Sequence, residues 1–171
     1  PMDVFAQAER MMDMDERTWM RHASPWSVWT RFFTCVPLIS LAVWSRVWIG
    51  WYAVLPVALS FAWTWWNPRA FPAPRSTDNW ASKGTFGERI FLERRKGDVP
   101  AHHVRAATVL SLLSGVGAIP WIAGLVLLDP WMTITGIVGV VLPKAWFVDR
   151  MVWIYEEMKD RDPRYGEWLR T

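Results

Sequence analysis

Four ionisable residues lie within the inner third of the region expected to span a bilayer: Arg31, Lys144, Asp149 and Arg150. A charge at mid-bilayer costs about 2.5 to 3.5 kcal/mol on insertion scales, so such groups pair or face a hydrated cavity. Asp149 is the one acid of the set, and a bridge from it to Arg31 would leave Lys144 or Arg150 to receive an anion. The competing reading is snorkelling, in which each long side chain reaches the headgroups from a shallow position. The histidines form a second set: His22, and the adjacent pair His102-His103. Imidazole exchanges protons near neutral pH. Three histidines, with Asp78 or Glu88 added, would also have the donor types of a Zn or Fe site. Polar residues that satisfy helix ends account for the same histidines, so they are read as interfacial groups and no metal ligand is assigned. Ser60, Thr64 and Asn67 share one helical face, a pattern that in membranes serves close packing and interhelical hydrogen bonding. No P-loop, GxSxG elbow or HExxH motif is present in the sequence.

The elements that position these groups follow from composition. The chain has 171 residues, 52% hydrophobic and 20% charged, with 15 Trp and a formal net charge of +3. That length suits one domain, and that balance argues against a disordered chain or a nucleic-acid-binding module. The single cysteine, Cys35, leaves no internal disulfide. The first 20 residues carry Asp3, Glu9, Asp13, Asp15 and Glu16, so no cleavable signal peptide is expected there. Crossing about 30 Å of hydrocarbon takes about 20 helical residues. Four stretches suffice: 25–44, opened by Ser24-Pro25; 47–66, ended before Asn67-Pro68; 100–128, ended by Asp129-Pro130; and 131–157, whose charged last turns extend into the cytosol. An amphipathic helix is expected over 3–21. The connecting loop 67–99 should hold a helix over 78–96, with Trp80, Gly84, Gly87 and Phe91 along one side. A short helix over 163–170, capped by Asp162, should turn Tyr165 and Trp168 toward the membrane.

Charge placement orients this layout. Of 19 Lys and Arg, only Arg46 falls in a segment expected outside, which puts both termini and the long loop in the cytoplasm of a multi-pass inner-membrane protein. Many of the tryptophans then mark the two interfaces, as aromatic belts do.

Two resemblances add to this reading. Tyr155-Glu156-Glu157 through Pro163-Arg164-Tyr165-Gly166-Glu167 is similar to the C-terminal part of membrane methyltransferases that act on isoprenyl-cysteine or phospholipids, over less than about a tenth of the chain. The run Arg21-His22-Ala23-Ser24-Pro25-Trp26-Ser27-Val28-Trp29-Thr30-Arg31 resembles a family of small Trp-rich bacterial and haloarchaeal membrane proteins known only as a domain of unknown function. Trp66-Asn67-Pro68-Arg69-Ala70-Phe71-Pro72 and Gly87-Glu88-Arg89 carry the same likeness. It covers most of the chain and brings no activity or cofactor with it.

The expected fold is therefore an all-α membrane protein, a four-transmembrane-helix bundle with amphipathic surface helices at the N terminus and in the central loop. Its expected function is a cytoplasm-facing polar pocket for an amphiphile or lipid headgroup, with enzymatic activity left open and no cofactor identified. Arg21, Arg31, Asn67, Arg89, Lys144 and Asp149 would bind the ligand and Trp26 and Trp29 would stack on it. His22, His102 and Glu88 are the proton-transfer candidates. Membrane lipids are the expected partners. The alternatives are an assembly subunit, docked on a membrane-protein partner or a second copy of itself, and a small channel or transporter.

Overall fold

The computed structural model describes residues 16–93 and 99–171, so residues 3–15 of the expected N-terminal helix and 94–96 of the expected loop helix lie outside the described residues. Every regular element among the described residues is helical: α1 Glu16–His22, α2 Pro25–Thr30, α3 Val36–Trp44, α4 Arg46–Ile49, α5 Val54–Ala70, α6 Trp80–Leu92, α7 Ala101–Leu127, α8 Pro130–Met158 and α9 Pro163–Glu167, with a wide turn over Arg31–Cys35 and a tight one over Gly50–Ala53. The chain divides into two compact units. One comprises residues up to Val28, Asn67–Ala106 and Val148–Thr171; the other comprises Trp29–Trp66 and Ala107–Phe147.

The second unit is apolar outward. Apart from Trp26 and Trp153, every exposed large hydrophobic side chain among the described residues belongs to it, Trp51 being 97% exposed. Three helical stretches, Pro25–Ala70, Ala101–Leu127 and Pro130–Met158, are long and apolar enough to cross a membrane. Pro37 has no N–H for the carbonyl of Phe33 four residues back. The turn before it widens to i→i+5 spacing, and Thr34 Oγ1 donates to the Thr30 carbonyl. Ser45 through Ala53 break the first stretch, helped by Gly50 at φ 55°. A Cβ at Gly50 would meet nothing within 4 Å, so its glycine serves the left-handed backbone and not space. Beyond the break Trp63 Nε1 donates to Thr34 Oγ1 at 2.8 Å, so this stretch folds back on itself.

Small residues let α7 and α8 approach closely. A Cβ on Gly117 would overlap the Gly139 backbone and one on Gly136 the Trp121 backbone, while Ser114 Oγ donates to the Val140 carbonyl at 3.0 Å. Trp121 Nε1 reaches Ser40 Oγ at 2.8 Å and Trp44 Nε1 reaches Thr133 Oγ1 at 3.3 Å, which fastens α3 to this pair. Arg46 Nη2 donates to the carbonyls of Leu125 (2.5 Å) and Val126 (2.9 Å), satisfying acceptors in the last turn of α7. That helix ends on Leu128 at φ 57°, with Asp129 N donating to the Gly124 carbonyl at 3.0 Å. The left-handed conformation costs a non-glycine residue roughly 1 to 2 kcal/mol. Leu128→Gly is expected to stabilise the protein by up to about 1 kcal/mol, offset in part by the freer unfolded chain. A raised thermal midpoint in one detergent is the check, and a lowered one refutes it.

In the first unit α6 packs on the end of α8. Phe86, Ile90, Phe91, Met151, Ile154, Tyr155 and Met158 are buried, and Gly87 lies so close to Met151 that a Cβ would overlap its backbone carbonyl. Asn79, in extended conformation, caps α6 by accepting from Ser82 N at 2.9 Å. Helix α5 continues through Pro68 to Ala70 instead of stopping before Asn67. Ser27 Oγ donates to Asn67 Oδ1 at 3.1 Å, both residues being wholly buried, and this bond holds Asn67 in the helix. Asp162 caps α9 from an extended backbone. Tyr165 and Trp168, however, turn into this unit: Tyr165 is buried, its carbonyl accepts from Tyr155 Oη at 3.2 Å, and Trp168 packs on Phe86 and Tyr165. The aromatic face expected to meet lipid packs against this unit instead, with Tyr165 buried and Trp168 half-buried.

Candidate functional site

The polar groups of the first unit sort into bracing and open sets. Arg89 on α6 grips Glu16 on α1 through both amino groups, Nη1 reaching Oε1 at 2.8 Å, a bidentate geometry specific to guanidinium and carboxylate. Its Cζ lies 4.4 Å from the ring centre of Trp168 and 5.9 Å from that of Trp19. Arg89 therefore ties α1, α6 and the C-terminal segment together. Lys83 sits 2.7 Å from Asp78 and 2.8 Å from Glu156, and those carboxylates, Asp78 foremost, hold its ammonium above the ordinary lysine range. Asp162 is held below the usual carboxylate range by the Arg164 guanidinium, then by the Arg164 N–H. Thr77 is wholly buried; its N–H donates to the Arg170 carbonyl at 2.8 Å and its hydroxyl accepts from Arg170 N at 2.7 Å, which fixes where Arg170 emerges.

What remains open is a groove of about 600 Å³ lined by Glu16, Arg17, Met20, Arg21, Pro72, Ala73 and Arg170. Its walls come from α1, the proline-rich segment after α5 and the C-terminal segment pinned by Thr77. Arg21 Nε donates to the Phe71 carbonyl at 2.9 Å, drawing that segment alongside α1. Among the described residues, three arginines and one glutamate line it, and that glutamate's carboxylate is already engaged by Arg89.

A second polar cluster occupies the start of α7. His103 is 2% exposed, and its Nε2 is 2.9 Å from Glu157 Oε2 on α8. The exposed His102 ring lies beside it, centroids 4.1 Å apart. Potential ligand atoms of His102, His103 and Glu157 all fall within 4.8 Å of one another.

Of the residues singled out from sequence, Arg21 lines the groove and His102 joins the histidine cluster. His22 is buried edge-on against Trp19, ring centres 5.8 Å apart. Asn67 is bound to Ser27, Arg89 to Glu16, and Asp149 Oδ1 accepts from Trp80 Nε1 at 2.9 Å. Glu88 is half-buried on α6, and Trp26 is exposed on α2. Trp29, Arg31 and Lys144 belong to the other unit, where Trp29 stacks on Phe33 and Lys144 Nζ lies 4.3 Å over the Phe147 ring. Arg17, Arg170 and Glu157 are the members that the sequence does not single out, while His103 stands in it only as one of three histidines. Only the His102-His103 adjacency was a local signal; Arg17 and Arg170 meet across nearly the whole chain.

Helices of this length and apolarity, with most of the charged residues belonging to the other unit, define an all-α protein compatible with membrane integration. The chain belongs to a family of unknown function, DUF6653, which matches residues 4–168. No curated protein and no solved structure matches it.

Proposed function

We propose that this is an inner-membrane protein of four crossings, with both termini cytoplasmic, that holds an anionic lipid headgroup in the groove of Arg17, Arg21 and Arg170. The fold-back within Pro25–Ala70, seen in the Trp63–Thr34 bond, supports counting that stretch as two crossings. The concentration of Lys and Arg outside the Arg46 turn supports the orientation. The observation that carries the ligand class is the charge of the groove's described lining: three arginines, and one glutamate whose carboxylate Arg89 already neutralises. Guanidinium suits phosphate through paired donors, and Met20, Pro72 and Ala73 add apolar wall for the start of an acyl chain.

The test is native mass spectrometry from nanodiscs of mixed phosphatidylglycerol and phosphatidylcholine. Arg17→Gln with Arg170→Gln leaves the Arg21 brace intact and should cut retained phosphatidylglycerol by roughly tenfold, the worth of about 1.4 kcal/mol. Retention of both lipids in equal amounts, or retention untouched by the double substitution, would sink the proposal.

A further inference from the structure

We infer that His102, His103 and Glu157 form a binding site for one divalent d-block cation of the zinc class. Two imidazoles and one carboxylate make a three-ligand set that leaves a fourth position for water, the composition of an open zinc site. In a tetrahedral site with bonds of about 2.0 to 2.2 Å, neighbouring ligand atoms stand about 3.3 Å apart. The ligand atoms here lie within 4.8 Å of one another, and His103 Nε2 is 2.9 Å from Glu157 Oε2. Closing the set requires the widest gap to shrink by up to about 1.5 Å and the short one to open by about 0.4 Å. The exposed side chains can supply both movements: His102 is exposed and the Glu157 side chain is 39% exposed, while burial fixes the His103 ring as the anchor.

Two further observations separate this from a histidine that merely satisfies a helix end. First, adjacent residues on a helix diverge by about 100°, yet the two rings lie 4.1 Å apart at 38° and present their nitrogens to one region. Second, His103 Nδ1 is buried and makes no hydrogen bond among the described residues, so within them the ring pairs through Nε2 alone. Glu157 uses its other oxygen, Oε1, to accept from Arg161 at 3.3 Å, which leaves Oε2 turned to the histidines. The carboxylate would bring the site's net charge to +1 with a divalent ion and neutral imidazoles.

The experiment is titration of the tag-free, chelator-stripped full chain in detergent with Zn²⁺, against a chromophoric competitor, and with Co²⁺, whose visible absorption reports tetrahedral coordination. One equivalent should bind, with a tetrahedral Co²⁺ spectrum. His102→Ala and Glu157→Gln alter exposed side chains and keep the buried anchor, and each should weaken binding at least tenfold. His103→Asn, checked for an unchanged circular dichroism melt, should abolish it. Absence of stoichiometric binding to the wild-type chain overturns the site, as does affinity unchanged in His102→Ala or in Glu157→Gln. Neither result bears on the arginine groove, whose lining shares no residue with this cluster.

Discussion

Gly87→Ala is expected to unseat α6 from α8 and to cost the first unit a large share of its stability. The added methyl would overlap the carbonyl oxygen and carbon of Met151, and it would come within 3.0 Å of the Met151 Cα. A side chain could swing aside, but this obstacle is helical backbone, so relief requires the two helices to part. Overpacking of a core costs typically about 1 to 3 kcal/mol and occasionally more. With main chain as the barrier we expect about 3 kcal/mol or above, against a total of about 5 to 15 kcal/mol for an ordinary domain. Gly84→Ala should be milder, since its nearest neighbour is a Val148 methyl at 2.5 Å, which belongs to a side chain. Gly166→Ala is the control, because nothing lies within 4 Å of its Cβ position. Thermal melting in one lipid environment, with amide exchange at Ile90 and Ile154, reads the effect. Equal melting for the Gly87 and Gly166 variants would mean the close approach is absent in the folded protein.

Tyr155→Ala is expected to have an effect of comparable size. Its side chain is wholly buried, its ring packs on Phe86 with centres 5.4 Å apart, and its hydroxyl reaches the Tyr165 carbonyl. Truncating a buried aromatic costs about 3 to 5 kcal/mol, the lost transfer energy plus the cavity. Tyr155→Phe keeps the volume and loses one hydrogen bond, worth about 0.5 to 1.5 kcal/mol. The two variants therefore separate packing from polar pairing at the joint between α8 and the C-terminal segment. Denaturation midpoints for the pair decide it. A Phe variant as damaged as the Ala variant would assign that joint to the hydrogen bond, contrary to expectation.

How far the sequence reveals this structure depends on how local each signal is. The helical class and the apolar stretches were readable because length and hydropathy act over about 20 neighbouring residues. Asp162-Pro163 announced its own cap, for which the donor is two residues away. The direction of Tyr165 and Trp168 was not readable: an amphipathic face looks alike whether it meets lipid or protein, and here Phe86 and Tyr155 take it. The site was less legible still. Arg89 looked like a free cation, but its neutralising partner Glu16 is 73 residues away. Arg17 and Arg170 lack any local mark, and it is the buried Thr77 hydroxyl that brings Arg170 to α1's side. The adjacent histidines drew attention, yet only the packing of α7 on α8 shows that His103 is the buried member and Glu157 its neighbour.

Arg46 has a consequence for the order in which the protein is made. Its guanidinium rests on the carbonyls of Leu125 and Val126, acceptors that lie 79 and 80 residues further along the chain. At about 5 to 20 residues per second, a ribosome needs roughly 4 to 16 seconds to supply them. Through that interval Pro25–Ala70 carries a cation whose two carbonyl partners do not yet exist, so its guanidinium needs a provisional acceptor. Arrival of the last turn of α7 exchanges that provisional partner for a permanent one. The second unit is thus fastened by its later half, and a nascent chain arrested before Leu125 would hold the hairpin without its latch.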